Sequence, residues 1–192
     1  MSDTQWPRYE VFIQERSGKP HRSIGTVHAP DPEMALLNGR DLFARRPSCH
    51  SLWVAPADAI LAKTREELPA ASAWKRPTSP SPTDQETYLV FVKQSQRRAM
   101  GFVEHIGSLQ ASTSLEALDL AVARYGSSDP FVWWICPENA VTRSDENDIE
   151  SMFEPANQKC YRHPNQYRTV EAMRQVERST QFAAPGDKDK AT

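Results

Sequence analysis

The sequence contains an internal repeat. A short unit that recurs must bury its apolar face against a neighbour, so the repeat limits the possible folds before any single motif does. Tyr9-Glu10-Val11-Phe12-Ile13 aligns with Tyr88-Leu89-Val90-Phe91-Val92. Ile24-Gly25-Thr26-Val27-His28-Ala29 aligns with Ile106-Gly107-Ser108-Leu109-Gln110-Ala111. Ala35-Leu36 falls on Ala117-Leu118 and Phe43 on Tyr125. Leu52-Trp53-Val54-Ala55-Pro56 falls on Trp133-Trp134-Ile135-Cys136-Pro137. Order and element lengths survive a small insertion in the first loop and a deletion in the second.

Each copy reads strand, strand, helix, strand. Tyr9, Val11 and Ile13 alternate with Phe12, and Tyr88, Val90 and Val92 repeat the pattern, which is the period of a strand. Ser17-Gly18-Lys19-Pro20 is a turn that makes the first two strands an antiparallel hairpin. Ile24 and Val27 break strict alternation around Gly25, and Gly107 repeats the break, so a bulge is predicted in both copies. Asp31-Pro32 supplies an N-cap and a proline at the first helical position. Thr113-Ser114-Leu115-Glu116 has the form of a capping box. Leu115, Leu118, Val122 and Tyr125 form an apolar helical stripe, and the first helix carries Ala35, Leu36, Gly39 and Phe43. The third strand ends at a proline, and Asp58 or Asn139 begins a helical turn after it.

The expected class is α+β, with two strand-strand-helix-strand repeats, an antiparallel sheet and helices on one face. A repeat of about 55 residues is marginal alone, which favours two copies packed as a pseudo-dimer within one chain. The first repeat spans residues 1–62 and the second 87–150. Residues 63–86, with Pro77-Thr78-Ser79-Pro80-Ser81-Pro82, read as a linker. Residues 151–168 read as an extended docking arm, and 169–192 as a short helix followed by a disordered tail.

Composition narrows the function. Hydrophobic residues are 39% of the 192, with 15 prolines and 7 glycines, so the core is modest and the polar segments account for the balance. No apolar stretch approaches the ~18 residues a membrane span needs. Residues 1–7 lack a signal-peptide pattern, which makes the cytoplasm the expected compartment. The net charge of -2 disfavours a general nucleic-acid binder. Cys49, Cys136 and Cys160 form no C-x-x-C pair and read as free thiols.

No residue pattern here specifies catalysis. His21 and His28 are an odd number of positions apart on one strand, so they point to opposite faces unless the bulge restores the phase, and they read as exposed strand histidines. Glu104 and His105 face opposite ways, and Cys49-His50 lacks an orienting third group. Walker, dinucleotide, nucleophile-elbow and di-iron carboxylate motifs are missing. Gly101-Phe102-Val103 echoes an RNA-reading motif, but its flanks do not fit. No catalytic, cofactor or metal residue is assigned. The aligned positions kept in both copies are apolar, Gly or Pro, so what the copies share is structural.

Three features suit contacts with other proteins. Arg40, Arg45 and Arg46 gather near the end of the first helix, where they either balance the helix dipole or form an interface patch. Trp133 and Trp134 are adjacent on a strand, so one of them leaves the core face for a partner or for the other repeat. Tyr161-Arg162-His163-Pro164, followed by Tyr167, is dense in aromatic and arginine anchors, which either pack internally or meet a partner.

The residues also resemble a known family. Trp6-Pro7, Tyr9-Glu10-Val11-Phe12, His21-Arg22, Gly25, His28-Ala29, Met34-Ala35-Leu36, Asn38, Arg40-Asp41, Arg45-Arg46 and Trp53-Val54 are similar to the phenylacetic acid degradation protein B family. That family is the small B component of the multicomponent phenylacetyl-CoA epoxidase. Lys159, Tyr161-Arg162-His163-Pro164 and Tyr167 resemble its closing segment. The opening motif thus sits in the first repeat and the closing motif follows the second, as in a fused tandem replacing a homodimer. The second repeat lacks the family His and Arg residues at the matching hairpin and helix positions.

The resemblance implies a non-catalytic accessory subunit that bridges or supports others and needs no cofactor. Its partners would be the di-iron oxygenase subunits and the reductase of an acyl-CoA-oxidising complex. Taken with the three contact features, it gives an expected interface through Arg22, His28, Arg40, Arg45, Arg46, Trp133, Trp134, Tyr161, Arg162, His163 and Tyr167. The competing readings are a stand-alone small-molecule or metal enzyme and an RNA-binding module.

Overall fold

The computed structural model describes residues 5–44, 49–68, 85–95, 102–158, 171 and 173–176. The chain divides into a unit Met1–Gln158, which holds the sheet, and a unit Lys159–Thr192, in which 171 and 173–176 are helical. Arg45, Arg46, Tyr161, Arg162, His163 and Tyr167 lie outside the described residues.

The first repeat forms β1 (Arg8–Gln14), β2 (Arg22–His28), α1 (Pro32–Phe43) and β3 (Ser51–Pro56), followed by β4 (Leu61–Thr64). The second forms β5 (Glu86–Lys93), β6 (Glu104–Ala111), α2 (Ser114–Tyr125) and β7 (Val132–Pro137), followed by β8 (Thr142–Arg143) and α3 (Ile149–Gln158). All the strands belong to one antiparallel 8-stranded sheet of order β4-β7-β5-β6-β2-β1-β3-β8. The class is α+β.

Local chemistry explains the elements. The Asp31 carboxylate accepts the Met34 N–H at 2.7 Å and caps α1, with Pro32 inside the first turn. Thr113 Oγ1 accepts the Glu116 N–H at 3.2 Å and caps α2. The Glu116 carboxylate accepts from Ser112 N–H, one residue earlier than a reciprocal capping box requires. Short 3-10 turns follow the prolines that end β3 and β7, at Ala57–Ala59 and Glu138–Ala140.

Both predicted bulges are present. The β1–β2 register shifts between Val11 and Phe12, leaving Ile24 unpaired beside Gly25. The β5–β6 register shifts between Val90 and Phe91, leaving Ile106 unpaired beside Gly107. Gly25 has φ +151°, and a Cβ there would stand 2.7 Å from the Phe43 ring at the end of α1. At Gly107 the obstacle is the Tyr125 hydroxyl at 2.5 Å, near the end of α2. Each glycine therefore lets an aromatic ring from the helix close over the bulge.

The helix side of the sheet carries two apolar clusters. Tyr9, Val11, Ile13, Leu52 and Val54 pack with Ala35 of α1 and Phe153 of α3. Tyr88, Val90, Val92, Trp133 and Ile135 pack with Ala117, Leu118 and Ala121 of α2. The other side carries a third cluster of Phe12, Ala55, Leu89, Phe91, Val103 and Cys136, flanked by Trp53 and Trp134.

Three expectations are corrected. Ile149–Gln158, which reaches into the segment read as an extended arm, is helical. Ile149, Met152 and Phe153 share one helical face, and burying them against the first-repeat core outweighs the cost of Pro155 within the helix. Lys63 and Thr64, at the start of the segment read as linker, end β4, and Arg65–Glu67 form a 3-10 turn with a Thr64–Glu67 capping box. His21 is buried at 6% exposure rather than exposed.

Substituting Gly25→Ala should destabilise the chain by about 1–3 kcal/mol, the range for overpacking. A urea midpoint measures this. Combining it with Phe43→Ala should cost less than the sum of the two, because the obstructing ring is gone.

Candidate functional site

Among the described residues, chemistry-bearing side chains gather at two places considered in turn. The first surrounds Trp53 on the side of the sheet opposite the helices. His21 stacks on its indole at 3.5 Å, with the planes 17° apart. His105 meets the same ring edge-on at 5.5 Å, and the Arg143 guanidinium lies 4.7 Å above it. His21 Nε2 is 3.1 Å from Ser51 Oγ. His105 Nε2 is buried with no hydrogen-bond partner.

A histidine beside a serine hydroxyl invites a nucleophile-and-base reading, but the electrostatics oppose it. Burial, together with His105, Arg143 and His50, holds His21 down at about 3 from its ordinary 6.5. A base that weak does not draw a serine proton at neutral pH. His105 is lowered as well, chiefly by burial. Burial pushes the Cys49 and Cys136 thiols up to about 12, which removes the thiolate that a cysteine nucleophile requires. Among the described residues, no group of three or more His, Cys, Asp or Glu side chains is placed to hold a metal ion. The arrangement suits a packed aromatic core with two neutral imidazoles.

The second place is the exposed side of α1 and the chain entering β1. His28 Nδ1 donates to the Trp6 carbonyl at 2.8 Å, and Asn38 Nδ2 donates to the His28 carbonyl at 3.3 Å. These bonds tie the N-terminal chain, the end of β2 and the middle of α1 together. Arg40 pairs with Asp41 at 2.9 Å. Trp6, Met34, Leu37 and Leu42 are exposed on this side.

The other residues expected at an interface are scattered. Arg22 pairs with Glu15 and lies 4.4 Å above the Phe102 ring, at the β2–β6 junction. Trp133 is 1% exposed, in the core under α2. Trp134 turns to the opposite side and meets Phe12 edge-on at 6.3 Å. It therefore faces the other repeat. Arg40 and His28 share the α1 side; Arg22, Trp133 and Trp134 do not.

Sequence reasoning missed the His21–Trp53–His105 grouping. These residues come from the position just before β2, from β3 and from β6, and the pairing of β2 with β6 brings the two histidines together at Trp53. The recurrence of Trp53 as Trp134 was the available signal.

An antiparallel sheet carrying successive strand-strand-helix-strand units, with His21 and Cys136 buried in it, defines a tandem α+β protein. The family model of phenylacetic acid degradation B matches residues 5–77 and 84–174. The chain belongs to that family and is matched in two successive segments, as a tandem duplication requires. It is 46% identical over 67 residues to the B component of the 1,2-phenylacetyl-CoA epoxidase of Escherichia coli (strain K12), covering 35% of this chain and 70% of that protein. No solved structure matches. Among the described residues, no helix is long and apolar enough to cross a membrane.

The histidine environment sets a pH dependence. The unfolded chain takes up a proton at His21 below pH 6.5, and the folded chain does so only near pH 3. Stability is therefore full above 6.5 and is lost as the pH falls. Between pH 7 and 5 the loss from this group should be about 2 kcal/mol. Denaturant titrations of wild type and His21→Phe, which keeps a ring on Trp53, should show a shallower pH slope for the variant.

Proposed function

We propose that this chain is a non-catalytic accessory subunit that bridges or supports the other subunits of a multicomponent di-iron oxygenase. The substrate of that complex is phenylacetyl-CoA or a related acyl-CoA, and the partners are its di-iron subunits and reductase. The observation that carries the reading is the family match in two successive segments, joined to the similarity to an epoxidase B component. The lowered His21 and His105 and the raised Cys49 and Cys136 agree with chemistry carried out elsewhere in the complex.

In this reading the two repeats are a homodimer fused into one chain. Reciprocal strand exchange supports it. β4, which follows the first repeat, pairs with β7 through Leu61↔Ile135 and Ala62↔Trp134. β8, which follows the second, pairs with β3 at the corresponding positions, Thr142↔Val54 and Arg143↔Trp53. At the β2–β6 junction, Ser23 N–H donates to the Val103 carbonyl and His105 N–H to the His21 carbonyl, both at 2.8 Å. Those two bonds exchange under the repeat alignment, as they would across a two-fold axis.

Two experiments test the proposal. The chain should co-purify with the di-iron subunit encoded in the same genome, and alone it should carry no iron and leave phenylacetyl-CoA unchanged. Capture of no oxygenase subunit, or turnover by the chain alone, would overturn the accessory role. A protease site placed between residues 69 and 84 tests the fused-dimer reading. The cut halves should co-elute at the intact mass in gel filtration, and their separation would sink that reading.

A further inference from the structure

β2 and β6 meet at one cross-strand pair, Arg22 opposite Glu104. Ser23 N–H donates to the Val103 carbonyl on one side of it and His105 N–H to the His21 carbonyl on the other. That pattern makes Arg22 and Glu104 a non-hydrogen-bonded pair, the closer of the two antiparallel kinds, with Cα atoms about 4.5 Å apart. The repeat alignment that sets Ile24 on Ile106 also sets Arg22 on Glu104. The pair therefore lies on the approximate two-fold axis, where each residue faces its own counterpart.

In a pair of identical units, a residue on such an axis meets itself. Any charge there meets a like charge, and like charges directly opposite on neighbouring strands are destabilising. Here the position carries a guanidinium in one copy and a carboxylate in the other. Only the pairing of unlike halves sets opposite charges face to face. Two first halves would set Arg22 against Arg22, and two second halves Glu104 against Glu104.

Contacts beside the axis act in the same direction for the first half. Arg22, held by Glu15 of its own half, lies 4.4 Å above the Phe102 ring of the other. The Trp53 indole takes His105 and Arg143 from the other half. The alignment sets Pro20, Ser23 and Ala62 on Phe102, His105 and Arg143. A second first half would thus bring a proline, a serine and an alanine in place of the aromatic ring, the imidazole and the guanidinium. These contacts do not oppose a pair of second halves, which would bring His105 and Arg143 to Trp134. The axis pair alone disfavours both like pairings.

We propose that Arg22 and Glu104 make this junction a recognition surface for the unlike half: the first half accepts a second half as its partner and rejects another first half. This rests on the fused-dimer reading and deepens it by naming the residues that fix which copies pair. The partner that the edge of β2 fits is a β6 edge with a carboxylate opposite Arg22. Chains then do not join through like halves into larger assemblies.

The test uses the full chain carrying the protease site between residues 69 and 84. After the cut, the chain is unfolded in urea, refolded by dilution and weighed by native mass spectrometry, which separates like from unlike pairs by mass. Wild type should give unlike pairs in about tenfold excess or more. Glu104 is exposed, so Glu104→Arg disturbs no packing. That variant puts arginine on the axis in every pairing and should raise the share of like pairs about fivefold. Arg22→Glu/Glu104→Arg restores opposite charges in the unlike pair alone and should return the wild-type distribution. A double-mutant cycle of urea midpoints on the uncut chain gives a second measurement, and it decides the matter should the cut halves not refold. The loss of the Glu15 contact is common to both variants that carry Arg22→Glu and cancels in the cycle. The folding constant of the double variant should exceed the product of the two single effects by about tenfold. Like pairs as abundant as unlike ones in wild type, no rise in like pairs with Glu104→Arg, or additive effects in the uncut chain would overturn the proposal. Co-elution of the cut halves would then leave the fused-dimer reading standing, whereas their separation overturns both.

Discussion

Phe12 and Phe91 stack with their centroids 4.5 Å apart, and the rest of the sheet is arranged around that contact. The two rings belong to β1 and β5, which β2 and β6 separate in the strand order. In a flat sheet, three strand spacings would put them about 14 Å apart. Contact therefore requires the sheet to curl, so that this side of one half packs on the same side of the other. Both rings are fully buried, and each contributes roughly 1.5–3 kcal/mol by burial, with about 0.5–1.5 more for the aromatic pair. The curl sends the helices to the outside and seals Trp53, Trp134, His21 and His105 within or beside the interior.

The same closure explains the edges. A short repeat ends in a strand that would expose unpaired backbone groups. Here each repeat lends a further short strand to the other: β4 covers β7 and β8 covers β3. Neither half is complete alone, because the outer pairing of each third strand comes from the other copy.

Within this near-symmetric frame the two copies have diverged in opposite ways inside and outside. Inside, the substitutions are local: His21 and His105 lie against Trp53, while the aligned positions carry Val103 and Ser23. The two imidazoles are held toward the neutral form chiefly by burial, with Arg143 acting on both in the same direction, which makes them structural groups with an acid-sensitive cost. Outside, Met34, Leu37 and Leu42 of α1 align with Glu116, Asp119 and Arg124 of α2, while exposed Leu115 and Leu120 of α2 align with Glu33 and Asn38. A fused chain can specialise its copies in this way, whereas a homodimer of identical subunits cannot.

Much of this is legible in the residues themselves. The alternation in β1 and β5, the caps at Asp31 and Thr113 and the bulges at Gly25 and Gly107 are local, and local rules identify them. β4 escapes those rules because Leu61-Ala62-Lys63-Thr64 is too short for its alternation to stand out, and its partner lies in the other repeat. α3 escapes them because Pro155 argues against a helix and only contact with the first-repeat core makes burial of Phe153 worth that cost. The Trp53 site escapes because its residues are distant in sequence. By itself, then, the sequence determined the repeat, its elements and its family, since these depend on neighbours along the chain. Tertiary structure alone decided the curl, the strand exchange and the neutral histidines, because each is set by which distant surfaces meet.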